Sequence, residues 1–181
     1  MTSSWTRWGR VLAAGIAGFL ASCGDGPASN VSYKLGPQVW DFFLFAAKDG
    51  PVLVIVDGNP LQIDEDVLAE SIAASMQTAF TEPFIKFTTD RAAAAHPEYR
   101  MVWTLGPAPG YDMNAVCGER RPSTAPLSGR RLEMRVGFCQ AGRLVSAVHG
   151  WMPARDSGPD SADWRNLIAQ MARQLVSTEG L

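Results

Sequence analysis

The sequence predicts an α+β domain, a single antiparallel or mixed sheet with two main helices packed on it. Three observations predict it. Tyr99–Leu105 and Leu132–Phe138 alternate with the period of a half-buried strand. Two longer stretches, 65–80 and 162–175, repeat apolar residues at helical spacing behind a capping residue. The 46% apolar content is that of a packed core rather than a disordered chain. Each helix is long enough to cover one sheet face, so strands and helices assemble in layers.

Taken in order, residues 24–38 are rich in Gly, Pro, Ser and Asn and are expected to form a flexible tether from 23 to 38. The aromatic stretch Val39-Trp40-Asp41-Phe42-Phe43-Leu44-Phe45 fits a strand or a helix, and Phe42, Phe43 and Phe45 favour the strand. Its aromatics Trp40, Phe42, Phe43 and Phe45 are expected in the core, with a partner groove as the alternative. Val52–Val56 is an unbroken run of Val, Leu and Ile, the pattern of a strand buried on both faces. Asp57-Gly58-Asn59-Pro60 is turn chemistry. Asp64 then caps a helix carrying Val67, Leu68, Ile72, Met76 and Phe80, with Glu65 and Asp66 on its positive end.

Phe84–Thr89 reads as a strand, and Ala92–Ala95 as a short helical turn closed by Pro97. After the Tyr99–Leu105 strand, residues 106–130 form a long loop that holds Cys117 and four prolines. The strand Leu132–Phe138 and a second one ending at Trp151 make a hairpin. A two-residue loop Ala141-Gly142 would put Val145, Ala147, His149 and Trp151 on its apolar face and Cys139 on the other. Asp160 or Ser161 caps a last helix with Trp164, Leu167, Ile168, Met171 and Leu175 on one stripe.

The first ten residues carry Arg7 and Arg10 and no acid, and Val11–Leu20 follows without a charge. That run is about half the roughly 20 residues a membrane-spanning helix needs. A basic start, a short apolar stretch and small residues form the pattern of an export signal. Its end, Leu20-Ala21-Ser22-Cys23, resembles the lipobox of bacterial lipoproteins. The resemblance implies cleavage before Cys23, a diacylglyceryl thioether on its sulfur and acylation, palmitate included, of the new amino terminus. Two or more chains anchor stably, at about 0.8 kcal/mol per buried methylene. The expected organisation is a signal peptide over 1–22, a tether over 23–38 and one periplasmic domain over 39–181.

The whole chain has a formal charge of −2, and loss of the signal's two arginines makes the remainder more acidic. That balance argues against nucleic acid as a partner. With Cys23 assigned to lipid, Cys117 and Cys139 form an even pair in an exported chain, which reads as a disulfide. Two buried free thiols are the alternative. No cluster of Cys and His supplies a zinc site, and no metal or cofactor is expected.

Downstream of the signal, the chain resembles a family of proteobacterial envelope lipoproteins without an assigned activity. The resemblance lies in Asp57-Gly58-Asn59-Pro60 after an apolar strand, the Tyr99-Arg100-Met101-Val102-Trp103 strand, a downstream cysteine, and Phe138-Cys139 before a hairpin. It implies the domain boundaries and no reaction.

The familiar catalytic motifs are absent, including G-x-S-x-G, H-E-x-x-H and the phosphate-binding loops. His96 precedes Pro97 in a surface segment. His149 on its strand is a general base or a hydrogen-bonded rim residue, and Asp57 is a catalytic carboxylate or a turn aspartate. The simpler reading is structural in both cases. The richest cluster is basic: Arg120, Arg121, Arg130 and Arg131 in the loop between the cysteines, with Arg135 beyond. Guanidinium forks suit phosphates and carboxylates, so these five are the candidate anion-binding residues, against the alternative of a solvated loop balanced by Glu119 and Glu133.

The expected function is a lipid-anchored, non-enzymatic envelope protein that binds or scaffolds a partner, either an envelope protein or an anionic polymer. A periplasmic hydrolase using Asp57 and His149 is the alternative. A small-ligand binder with a pocket at Trp103 or Trp151 lies between the two.

Overall fold

The tether expected over residues 23–38 gives way to a strand. In the computed structural model, which describes residues 26–118, 123–127 and 129–178, Ala28–Lys34 (β1) is an edge strand. Its polar sequence hid it, because only Val31 packs on the core while Asn30, Ser32 and Tyr33 face solvent. Pairing comes from backbone groups and from two side-chain links, Ser29 to Gln174 at 2.7 Å and Lys34 Nζ to the Ser177 carbonyl at 2.9 Å. The segment expected to be a signal peptide, and Cys23, lie outside the described residues.

Val39–Ala46 (α1) is a helix, not the strand that its aromatics suggested. Val39, Phe43 and Ala46 fall one helical turn apart and are fully buried. The helical period turns Phe45 outward, 46% exposed, where a core position was expected. Trp40 and Phe42 pack beside the core as anticipated.

Val52–Asp57 (β2) runs parallel to both Phe87–Thr88 (β3) and Tyr99–Leu105 (β4). Between β2 and β3 lies Glu65–Gln77 (α2), whose Asp64 cap accepts from the amides of Asp66 and Val67. Leu68, Ile72 and Met76 of α2 are buried, whereas Val67, placed on its apolar stripe by sequence, is 51% exposed. β3 is shorter than the strand expected over 84–89, and Phe84 stands 64% exposed beyond its end.

Arg131–Gln140 (β5) and Arg143–Pro153 (β6) form the long hairpin, and Ala162–Val176 (α3) closes the chain. The six strands make one mixed sheet in the order β1-β6-β5-β4-β2-β3, so the fold is α+β as the sequence predicts. A third, short helix, α1, joins the two long ones. The helices do not share out the two faces: α1, α2 and α3 all pack on one. That interface buries Trp103, Trp164, Phe43 and Phe138 completely, each worth roughly 1.5–3 kcal/mol of transfer free energy. Ser146 donates its hydroxyl to the Leu175 carbonyl at 2.6 Å from the same face.

The faces of the hairpin differ from the simple reading. Cys139 pairs with Leu144 but Phe138 pairs with Ser146, so Val145 is an extra residue, a bulge. One extra residue moves every later side chain to the opposite face. Val145 stays with the helices, while Ala147, His149 and Trp151 turn to the other side with Cys139. Gly150 then lies under α3, and a Cβ there would run into the Met171 sulfur.

Gly150→Ala should cost about 1–3 kcal/mol through overpacking against α3. Gly142→Ala at the hairpin tip, where a Cβ meets nothing within 4 Å, should stay within about 1 kcal/mol of wild type. Urea unfolding of the two variants checks both values.

Candidate anion-binding groove

The face opposite the helices is covered by the loop after β4, and the loop's course explains the site. Gly106 turns the chain at φ 60°, its amide donating to the Glu133 carbonyl at 2.9 Å and its carbonyl accepting from Ala125 at 2.7 Å. A Cβ there would sit 2.7 Å from the Ala125 oxygen, so only glycine fits. The two arms of the loop pair at Ala108 and Ser123, 3.0 Å, and at Pro107 and Thr124.

A 3₁₀ turn, Met113–Cys117, then packs on the sheet, its Asp112 cap accepting from the Asn114 amide at 2.9 Å. It fits because Gly137 leaves room: a Cβ there would lie 2.9 Å from Val116 and 3.0 Å from Met113 and Leu144. Cys117 and Cys139 are joined in a disulfide with Cα atoms 5.5 Å apart, and both are buried. Closing a loop with the observed separation of 22 residues restricts the unfolded chain by about 3 kcal/mol in the entropic model. Arg100 Nη2 adds a 2.6 Å hydrogen bond to the Cys117 carbonyl.

Between this loop and the ends of β5 and β6 runs a groove of about 720 Å³. Arg130, Arg131, Arg135 and Arg155 line it, with Glu133 among them. Three of the five arginines singled out by sequence are therefore brought together; Arg120 and Arg121 lie outside the described residues. Arg155 was missed. It follows the end of β6, and only the pairing of β6 with β5 brings it near Arg131, through the Arg131–Pro153 register and the 2.8 Å bond from Ala154 to the Arg130 carbonyl.

Arg135 is the most constrained of the four. Its guanidinium carbon lies 5.2 Å from the centre of the Tyr111 ring, a cation–π distance. The Tyr111 hydroxyl is 3.0 Å from Thr104 Oγ1. Burial raises the Tyr111 pKa, against the opposing effect of the Thr104 hydrogen bond and the Arg135 charge, so the phenol stays protonated. Arg135 Nε is buried and makes no hydrogen bond among the described residues, as does Trp151 Nε1 farther along the face. A buried donor without an acceptor is costly, and an anionic oxygen would satisfy it.

The pair Asp57 and His149 does share this face, in one row across the sheet: Asp57, Thr104, Arg135, His149 and Asn30. Three strand spacings of about 4.8 Å put the two roughly 14 Å apart, far beyond hydrogen-bond reach. Arg135 stands between them. His149 Nε2 instead lies 3.7 Å from Glu133, and its ring packs 5.7 Å from Trp151. Burial and the Arg135 charge lower its pKa, and Glu133 only partly offsets them. His96 sits between Asp49 at 3.5 Å and Glu98 at 3.7 Å, at the far end of the molecule. Of the two tryptophans proposed for a pocket, Trp103 is buried beneath the helices and Trp151 lies half-buried on the loop-bearing face. Among the described residues no group of three or more His, Cys, Asp or Glu could hold a metal ion.

His149 binds its proton less readily in the folded chain than in the unfolded one, where the ordinary value is about 6.5. Stability therefore falls as the pH drops through that value, until the folded imidazole protonates too. His149→Gln should remove this component: the wild type loses more stability than the variant between about pH 7.5 and pH 5. Denaturant midpoints of both proteins across that range are the check.

No protein-family model and no curated protein matches the chain. Among solved structures it is similar to the PelC dodecamer from Paraburkholderia phytofirmans, at 12% identity and a TM-score of 0.43, over 83% of this chain and 98% of that one. A single-substitution variant of the same dodecamer gives 14% identity and a TM-score of 0.39, over 83% and 97%. The likeness is a loose one of fold.

Proposed function

We propose that the chain is an exported envelope protein, held to a membrane by lipid on Cys23, that binds an anionic partner in the arginine groove and catalyses no reaction. The observation that carries the binding reading is Arg135, whose Nε is buried without a hydrogen-bond partner among the described residues beside three further arginines. A guanidinium fork takes two oxygens of one phosphate or carboxylate, and the Tyr111 ring and the pinned loop hold it ready. Two features support export: the Leu20-Ala21-Ser22-Cys23 motif and the Cys117–Cys139 disulfide, which persists in an oxidising compartment. The spacing of Asp57 and His149 supports a non-enzymatic role, since the candidate acid and base cannot meet across Arg135.

The anchor is tested by intact mass spectrometry of detergent-extracted protein. The expected species starts at Cys23 with diacylglyceryl and acyl additions that Cys23→Ser abolishes; a different start, or no adduct, refutes the anchor. The groove is tested by calorimetric titration with inorganic pyrophosphate. Arg135→Ala should weaken binding on the order of tenfold, and Arg135→Lys should recover only part, because an ammonium lacks the fork. Equal affinity in all three proteins would mean that Arg135 is not the binding group.

A further inference from the structure

We propose that the arginine-lined end of the sheet is the membrane-facing end of the anchored protein, and that its groove takes phosphate headgroups of anionic phospholipids in the bilayer that holds Cys23. The inference rests on the anchored, anion-binding reading above and names the source of the anion.

The argument is one of chain length. Had residues 23–38 been a tether, sixteen residues would reach roughly 55 Å and leave the domain free to adopt any orientation. β1 removes that freedom. It begins at Ala28, five residues after Cys23, so the lipid-bearing sulfur sits at most about 18 Å from the start of the strand. That start is fixed, since Ala28 pairs with Trp151 and the next residue, Ser29, bonds to Gln174 at 2.7 Å.

The start of β1 lies at the same end of the sheet as the groove. There β4 stops at Leu105, β5 begins at Arg131 and β6 stops at Pro153, and the groove is built from these ends with residues 106–111 and 125–127. The opposite end carries the Ala141-Gly142 turn, the start of β4 and the segment with Arg91. A short leash therefore leaves the four arginines near the bilayer and Arg91 on the far side.

Charge points the same way. The chain as a whole is acidic, with a formal charge of −2, yet this end groups Arg130, Arg131, Arg135 and Arg155. Glu133 and Asp156 lie among them, the latter 3.4 Å from Arg155 Nε, and Asp57 and Asp112 reach Tyr111 beside Arg135. Anionic headgroups attract basic residues only within about 10 Å at moderate salt, a range that the leash provides. The arginines set orientation; the acyl chains hold the protein.

The test uses the mature lipidated protein in vesicles of phosphatidylcholine, with and without phosphatidylglycerol, digested with trypsin. With phosphatidylglycerol, cleavage after Arg130 and Arg131 should slow on the order of tenfold, while cleavage after Arg91 stays unchanged. The Arg135→Gln/Arg155→Gln double variant should lose that protection. Equal cleavage in both vesicles, equal protection of Arg91, or protection by free glycerol phosphate in phosphatidylcholine vesicles would each overturn the proposal while leaving the anchor intact. Lack of the acyl adduct in the starting material would overturn the anchored reading and this proposal with it.

Discussion

The pairing of β6 with β5 decides which side of the sheet every later residue presents, and a single bulge sets it. With Val145 inserted between the pairs Cys139–Leu144 and Phe138–Ser146, Val148, Gly150 and Met152 fall under the helices. Ala147, His149 and Trp151 fall under the loop. Two glycines on the same hairpin then open room on opposite faces: Gly150 for Met171 of α3, and Gly137 for Val116 of the 3₁₀ turn. Without the bulge, the α3 stripe would meet His149 and Trp151, two side chains with polar nitrogens, in place of a flat glycine. Core density and the loop's seat depend on the same one-residue offset.

The two faces of the sheet consequently have different characters. The helix side is a closed apolar layer built around Trp103, Phe138 and Trp164, where Trp164 Nε1 donates to Ser71 at 3.0 Å and Trp103 Nε1 is buried without a hydrogen-bond partner among the described residues. The loop side mixes a small apolar cluster around the disulfide with a row of polar side chains, Asp57, Thr104, Arg135 and His149. Charges in such a half-dry setting act strongly on one another. Burial with the Arg135 charge holds His149 neutral, and burial keeps the Tyr111 phenol protonated beneath the guanidinium. Arg135 is thus bordered by two neutral rings, with Glu133, Asp57 and Asp112 the acids acting on those rings.

The disulfide links these two characters. It fastens the 3₁₀ turn to β5 next to Gly137, so the loop cannot lift away without exposing Val116 and Cys117. The same loop forms one wall of the groove, and the ends of β5 and β6 form the other. A covalent clamp on one wall and a paired hairpin in the other hold the backbone that carries the arginines in place.

Much of this was legible in the sequence. Alternation gave away β4 and β5, the apolar run exposed β2, and capping residues, Asp64 for α2 and Asp160 or Ser161 for α3, marked the long helices, because those signals are local and periodic. The cysteine count, with an amino terminus that reads as an export signal, pointed to the Cys117–Cys139 pair, and the clustering of five arginines included Arg130, Arg131 and Arg135 of the groove. Tertiary structure decided the rest. β1 is held mainly by backbone bonds and so lacks an apolar pattern. The aromatic run of α1 has no period that separates helix from strand, and the choice went to the form that buries Val39, Phe43 and Ala46 together. The bulge at Val145 has no composition signal at all, yet it assigns His149 and Trp151 to the groove-bearing face. Arg155 joins the basic cluster only because two strands pair. Local propensity and spacing are written along the chain, whereas register, face and cross-strand proximity exist only once the sheet has formed.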